Sequence, residues 1–397
     1  MSGVSGLKST NNEAVVIPGA IVEEFYSATT QAEVAQIVSE AAREEAGLLI
    51  TGGRTRLHWA NEARELSRGL CLANLSGIDQ FEPDEGVVHA AAGTPIRELQ
   101  ETLNAEGWEL ALDSPGAGST LGGTIASAAL GPRAQTFGRV ADVILGLDVV
   151  GGDGVQSKCG GRVVKNVTGY DLAKLYCGSF GSLAVICGAW LRLRPLPVFR
   201  EAFVARLTST RETFESFRSL GLHGTIRALI WSEVPGEGFA EVAIELGGSR
   251  KAVDHDRESI ARSIEIESAP LTHIDSLRDA RATACMDSVV LRTRVLGSEI
   301  EGMMRMILES GLRVSADPGI GTIHARGSID QRESLLAIRH KAHAGGGLTI
   351  FENFPDKWRR DIDVFDEPAG GASLTAVLKS RFDPSGILNP GRFAGRI

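Results

Sequence analysis

No Cys-x-x-Cys pair occurs in this sequence of 397 residues; its five cysteines, Cys71, Cys159, Cys177, Cys187 and Cys285, are odd in number and scattered. That excludes an iron-sulfur cluster or a structural zinc held by paired thiolates of this chain, and reads as reduced, buried thiols of a cytoplasmic protein. Positive charge is not in surplus either: 41 Lys and Arg stand against 50 Asp and Glu, a net charge of -9. Neither nucleic acid nor an anionic membrane surface offers acidic side chains anything to bind. No apolar run approaches the roughly 20 residues that cross a bilayer. The polar residues 1–14 lead into no hydrophobic targeting core and read as a flexible tail. Also missing is a strand running into Gly-x-Gly-x-x-Gly with an acid about twenty residues on, which excludes a Rossmann site.

What is present begins with 43% hydrophobic residues, enough at this length for two domains of roughly 200 residues. The chain is organised around Ser114-Pro115-Gly116-Ala117-Gly118-Ser119-Thr120-Leu121-Gly122-Gly123-Thr124. Glycines there let backbone approach a ligand, and a short apolar helix is predicted from Gly122. Bare N–H groups and the positive end of a helix would face an anion, as in a diphosphate cradle. A second such loop follows the apolar run Leu48 to Thr51: Gly52-Gly53-Arg54-Thr55-Arg56, with Arg54 or Arg56 available for charge. The competing reading of the double glycine is a tight turn.

Around these loops the pattern predicts a strand over 21–26 and a helix opened by the capping box Thr30-Gln31-Ala32-Glu33 and ending near Gly47. Strands are predicted over 70–75 and 87–92, then a helix with Pro95 at its first position and Gly107 beyond its end. Asp142 to Val150 turns at Gly151-Gly152-Asp153-Gly154 into a hairpin, and 184–193 is a strand closed by Pro195 and Pro197. From Glu201 the order strand, helix, strand, strand, helix is predicted twice, over 201–264 and 288–343, as one antiparallel sheet with helices on a single face. Residues 356–372, charged and then glycine-rich, read as a mobile connection before a last helix over 373–382.

Five motifs in this order resemble one family: Pro115 to Thr124, the strand pair Val140 to Asp153, Lys165-Asn166-Val167-Thr168-Gly169-Tyr170-Asp171-Leu172, Gly178 to Leu183, and Asp383-Pro384-Ser385-Gly386-Ile387-Leu388-Asn389-Pro390-Gly391-Arg392. They are similar to those of the vanillyl-alcohol-oxidase, PCMH-type FAD-binding flavoproteins and, within that group, to the FAD-binding subunits of bacterial glycolate oxidases. The resemblance implies an α+β fold: a PCMH-type FAD-binding domain of two α+β subdomains (15–199), an antiparallel-sheet cap domain with helices on one face (200–372), and a C-terminal return to the FAD domain (373–397). It also implies non-covalent FAD, because no histidine stands where the family attaches FAD beside the first loop, unless His58 does so from beyond it.

By the same resemblance Gly52, Gly53, Arg54 and Thr55 match the first phosphate loop, with Arg54 where a third glycine is usual, and Thr120, Leu121, Gly122, Gly123 and Thr124 match the second. Ser127 lies toward the flavin, or serves close packing. Gly181 and Ile186 match the segment lining the adenine, or belong to a plain buried strand. Asn166 and Tyr170 sit in the most family-like octapeptide, with a hydrogen-bonded structural corner as the alternative. Asn389 and Arg392 match the return, or pin the terminus in a Pro-Gly turn. His340 and His343 share a helix face at metal-ligand spacing, but read as a solvated, dipole-complementing helix end, so no metal is expected.

The family's catalytic 2-hydroxyacid dehydrogenases carry a Gly-Glu-His-Gly segment and a second His-bearing glycine-rich segment, and neither occurs between 200 and 372. No catalytic residue is therefore named. The implied function is that of an FAD-binding subunit of a glycolate oxidase-like 2-hydroxyacid dehydrogenase, working beside a catalytic FAD subunit and an iron-sulfur subunit, cytoplasmic or held at a membrane only through that complex. Two other readings stay open: a self-sufficient FAD oxidoreductase of an alcohol or sugar-derived substrate, using Arg326, His324 or Glu352, and a scaffold subunit that has lost FAD.

Overall fold

Thr30 fixes where the first helix begins. Its hydroxyl accepts the Glu33 N–H at 3.2 Å, and the Glu33 carboxylate accepts the N–H groups of Thr29 and Thr30 at 2.7 and 3.2 Å. The helix Gln31–Glu44 then buries Val34, Ala35, Ile37, Val38 and Ala41, packed with Leu48, Leu70, Val150 and Val185 in one core. Each buried Val, Ile or Leu among them contributes roughly 1.5–3 kcal/mol by leaving water, the alanines less. The computed structural model describes residues 14–162, 171–283, 288–366 and 371–397. The calls on Asn166 and Tyr170 lie outside the described residues.

The chain divides into two units, one made of Met1–Ala129, Gly138–Leu196 and Glu367–Ile397, the other of Leu130–Phe137 and Pro197–Asp366. In the first, a parallel sheet runs Phe25–Ser27, Leu66–Cys71, Gly47–Thr51. At Gly69 any Cβ would overlap the Phe25 ring, so glycine is required by the close packing of that ring. An antiparallel sheet runs Gln156–Gly160, Ile144–Gly151, Ala184–Pro195, Val87–Ala91, Ile78–Glu82, with Trp108–Leu110 paired to the far end of Ala184–Pro195. The C-terminal return joins the parallel sheet: Leu48 donates to Ile387 O at 2.7 Å and Asn389 donates to Leu48 O at 2.9 Å.

Three local expectations change. The strand expected over 21–26 is two short strands, Ala20–Val22 and Phe25–Ser27, with Glu23 and Glu24 between them. The strand expected over 70–75 is Leu66–Cys71, because Leu75 turns back to donate to Leu72 O. Asp142 lies in the short helix Val140–Val143, its carboxylate accepting the Arg139 N–H, so the hairpin strand starts at Ile144.

The second unit carries an eight-stranded antiparallel sheet in the order Glu267–Ala269, Phe199–Thr208, Phe239–Gly248, Ile226–Glu233, Arg313–Asp317, Thr322–Gly327, Val289–Arg294, Leu348–Asn353. The predicted repeat is visible in it: both halves order their strands first, third, second, and they meet through their second strands, Ile226–Glu233 and Arg313–Asp317. Trp231 packs against Phe214 and Phe217 of the helix Arg211–Ser219, and Glu233 on the same face pairs with Arg305 of the helix Ile300–Glu309. The helix Leu271–Ala280, in what reads from sequence as a linker, places Ile274 on the opposite face against Ala202, Ala228, Ile230 and Ala243.

The connection expected to be mobile is packed as far as Asp366. Trp358, Ile362, Val364 and Phe365 are buried, and Val364 O accepts from Phe351 N at 2.9 Å, covering the edge strand Leu348–Asn353. Four apolar residues spaced among the charges outweigh the charged composition there.

Candidate functional site

Thr51 ends the parallel strand Gly47–Thr51, and the chain then turns through Gly52 to Arg56. The N–H groups of Gly52, Gly53, Arg54 and Thr55 make no hydrogen bond to the described residues. Arg54 takes a left-handed backbone with φ 55°, a conformation that non-glycine residues rarely adopt and that anion-binding nests use. Its guanidinium lies 4.5 Å over the Phe25 ring.

The second loop is built differently from the sequence expectation. Leu121 N–H donates to Thr94 O at 2.9 Å and Gly122 N–H to Ala92 O at 2.7 Å, so two N–H groups expected to be bare are bonded to protein. Gly123 N–H has only a long bond, 3.4 Å, to Thr120 Oγ1. The two glycines also differ in what a side chain would meet. A Cβ on Gly122 would lie 2.8 Å from Ala92 Cβ, whereas one on Gly123 would meet only Thr120 Oγ1 at 3.2 Å and Arg56 Nη2 at 3.9 Å. Both glycines line the cleft, Gly122 packed against Ala92 and Gly123 with more room for a side chain.

The loops touch each other directly. A Cβ on Gly53 would run into Gly118 O and one on Gly52 into Thr120 Oγ1. Together with Phe180, Gly181, Ile186 and Asn389 they line a cleft whose apolar wall includes Ile50, Leu72 and Ala184. Thr55, Ser127 and Arg392 line its continuation. Ser127 Oγ is engaged with Gly123 O at 2.7 Å. Leu121 and Thr124 are fully buried beneath the cleft, Thr124 bonding Ser114 Oγ and Thr120 O.

Asn389, with φ 47°, is a corner whose amide is used on both sides: Oδ1 accepts from Ile50 N at 2.9 Å and Nδ2 donates to Phe180 O at 2.7 Å. Arg392 donates to Leu57 O at 2.6 Å. Lys379, missed in the sequence, holds this return in place: its buried ammonium donates to Ser182 O and Leu388 O and pairs with Asp383 at 2.7 Å. A lysine inside the apolar turn of the last helix was the available signal.

In the second unit, His324 is buried, and burial together with the Arg281 and Arg292 guanidiniums holds its imidazole well below the ordinary range, so it is neutral. Arg292 pairs with Glu352 at 2.8 Å, Arg281 with Asp317 at 2.6 Å, and Arg326 donates to Ala280 O at 3.0 Å. A cavity of about 340 Å³ is lined by His324, Arg326, Arg281, Ser315, Phe239 and Leu277. His343 Nδ1 lies 3.5 Å from Asp366 Oδ1. Among the described residues no group of three or more His, Cys, Asp or Glu could hold a metal, and no helix is long and apolar enough to cross a membrane.

Four adjoining N–H groups without acceptors among the described residues, a glycine beside them in the same cleft and an apolar wall are what an anion carried on an apolar ring would need. Residues 22–160 match a family described as FAD binding domain. Glycolate oxidase subunit GlcE of Escherichia coli is 32% identical over 162 residues, 40% of this chain and 46% of that relative, so the chain matches under half the relative's length. The mitochondrial D-2-hydroxyglutarate dehydrogenase of Bos taurus is 23% identical over 91% of this chain and 75% of its own. Among solved structures, p-cresol methylhydroxylase superposes with a TM-score of 0.71 at 14% identity, over 94% of this chain and 89% of that one. The fold is that of PCMH-type FAD-binding flavoproteins, and the cofactor is FAD.

Proposed function

We propose that the chain is the FAD-carrying subunit of a 2-hydroxyacid dehydrogenase complex of the glycolate oxidase type, acting beside a catalytic FAD subunit and an iron-sulfur subunit. The observation that carries the cofactor part is the nest of unbonded N–H groups at Gly52 to Thr55, opposite the open face of Gly123. Those N–H groups would receive the diphosphate, with Thr120 and Ser127 beside it. Ile186 would line the dinucleotide from its strand, and Asn389 would hold Ile50 and Phe180 at the right separation. Bound there without a covalent link, FAD supplies two-electron chemistry that the side chains of this unit lack. The subunit role is supported by the second unit, where the arginines nearest His324 and Glu352 are engaged by carboxylates and carbonyls of the same unit.

A self-sufficient oxidoreductase is the second reading, favoured by one observation: the Nδ1 of His324, a residue that lines the cavity, is buried without a partner among the described residues. Affinity purification from the native cell, with flavin content and co-purifying chains read from one sample, separates the two. The purified chain alone should be yellow yet oxidise glycolate or D-lactate with a dye acceptor only at trace rates. Brisk turnover by the isolated chain would overturn the subunit reading.

A further inference from the structure

Arg56 belongs to the first loop, and its guanidinium is bonded into the second. The two N–H groups of Nη1 are shared among Ser114 Oγ at 3.0 Å, Pro115 O at 2.5 Å and Ser119 Oγ at 2.8 Å, and Nη2 reaches Thr124 Oγ1 at 3.4 Å. The head group is buried, 5.6 Å over the ring of buried Trp59. Its partners are interlocked: Ser119 Oγ also donates to Pro115 O at 2.6 Å, and Thr124 Oγ1 to Ser114 Oγ at 2.9 Å. Only Arg offers a rigid planar fork that can hold several acceptors at once.

The turn so held contains Gly116 and Gly118, residues that lose more backbone freedom on ordering than any others. Were that ordering left to the ligand, its cost would be taken from the binding affinity. We propose that Arg56 is a positioning residue for the dinucleotide: it ties the second loop to the first before flavin arrives, so the cradle is pre-formed and FAD enters and leaves it in a single step. The proposal rests on the reading that Gly52 to Thr55 and Gly123 face the FAD diphosphate. It concerns loop order, a matter separate from the subunit role.

The test uses the full chain, stripped of flavin, as wild type, R56K and R56A. FAD binding is followed by flavin fluorescence at equilibrium and in stopped flow, with ADP as a competing diphosphate probe and thermal unfolding of each apoprotein alongside. Wild type should bind in one phase. R56A should bind FAD and ADP about tenfold or more weaker, mostly through slower or biphasic association, with R56K in between and millimolar guanidinium restoring part of the R56A loss. A folded R56A with wild-type affinity and association rate overturns the proposal, and so does a lowered melting temperature with unchanged affinity, since a purely structural arginine predicts that. If R56A does not accumulate, R56K decides, and wild-type association kinetics in R56K overturn it. Failure of the wild type itself to bind FAD or ADP would overturn the cradle reading beneath it, a distinct outcome.

Discussion

Arg133 Nε donates to Glu245 Oε2 at 2.6 Å, across 112 positions of sequence. Arg133 lies in the short segment Leu130–Phe137 that follows the helix Leu121–Ser127 and belongs to the second unit, and Glu245 lies on the strand Phe239–Gly248 of the same unit. Glu245 is fully buried and also accepts from Arg200 at 2.8 Å and Arg227 at 3.1 Å. One carboxylate therefore gathers three guanidiniums.

Removing that charge takes from three guanidiniums a shared buried counterion, although Arg133 keeps Asp275 at 2.7 Å. Glu245→Gln should destabilise the second unit by about 3–5 kcal/mol, read as an earlier transition in chemical unfolding followed by tryptophan fluorescence at Trp231. A variant with an unchanged midpoint would show that the arginines find other counterions.

The paired glycines give a contrast. Gly122→Ala forces a methyl against Ala92 and should lower stability by about 1–3 kcal/mol whether or not flavin is present. Gly123→Val should leave the second unit folded and abolish FAD binding, because its side chain enters the cleft. Soluble Gly123→Val with a full yellow flavin spectrum would misplace the cradle.

Asn389→Ala removes the bonds to Ile50 N and Phe180 O and leaves alanine in a left-handed backbone, a combined cost of about 2–4 kcal/mol. Asn389→Gly relieves only the backbone part. Both should weaken FAD binding, with glycine the better tolerated in thermal unfolding, and equal melting temperatures for the two would refute the backbone contribution.

His89 carries a pH dependence. Its ring lies between Asp79 at 2.8 Å and Asp148 at 3.0 Å. Burial pulls the imidazole down, but the hydrogen bonds and charges of Asp148 and Asp79 outweigh it and raise the pKa above the ordinary value. A raised folded value means the stabilisation is complete below the unfolded imidazole pKa and is lost as pH rises through the folded one. As pH rises above the ordinary imidazole pKa of about 6.5 the wild type should lose melting temperature that His89→Gln does not, and His89→Gln should already cost about 1–3 kcal/mol at the acid end. Parallel pH profiles for the two proteins would count against a charged His89.

Several of these features were legible beforehand. The capping box at Thr30, the hairpin turn at Gly151 to Gly154 and the repeated strand-helix order are local signals, and local backbone preferences decide them. Arg56 was legible only as an available charge, because what it does depends on residues about sixty positions away. The use of the Leu121 and Gly122 N–H groups on Thr94 and Ala92 was equally hidden, since a glycine packed against a neighbouring methyl and one with open space beside it look identical in sequence. Tertiary packing also overrode composition at 356–366, where buried Trp358 and Val364 sit among charged neighbours.

The return segment has a consequence for biosynthesis. The wall formed by Ile50, Phe180 and Asn389 exists only once Lys379, Asp383 and Asn389 have taken their places beside Ser182, Leu388 and Leu48. A ribosome making this chain releases the cradle loops hundreds of residues before the residues that close the cleft, while Pro197–Asp366 can fold in the interval. A nascent chain stalled short of Asn389 should therefore emerge with its second unit formed and this cleft wall incomplete.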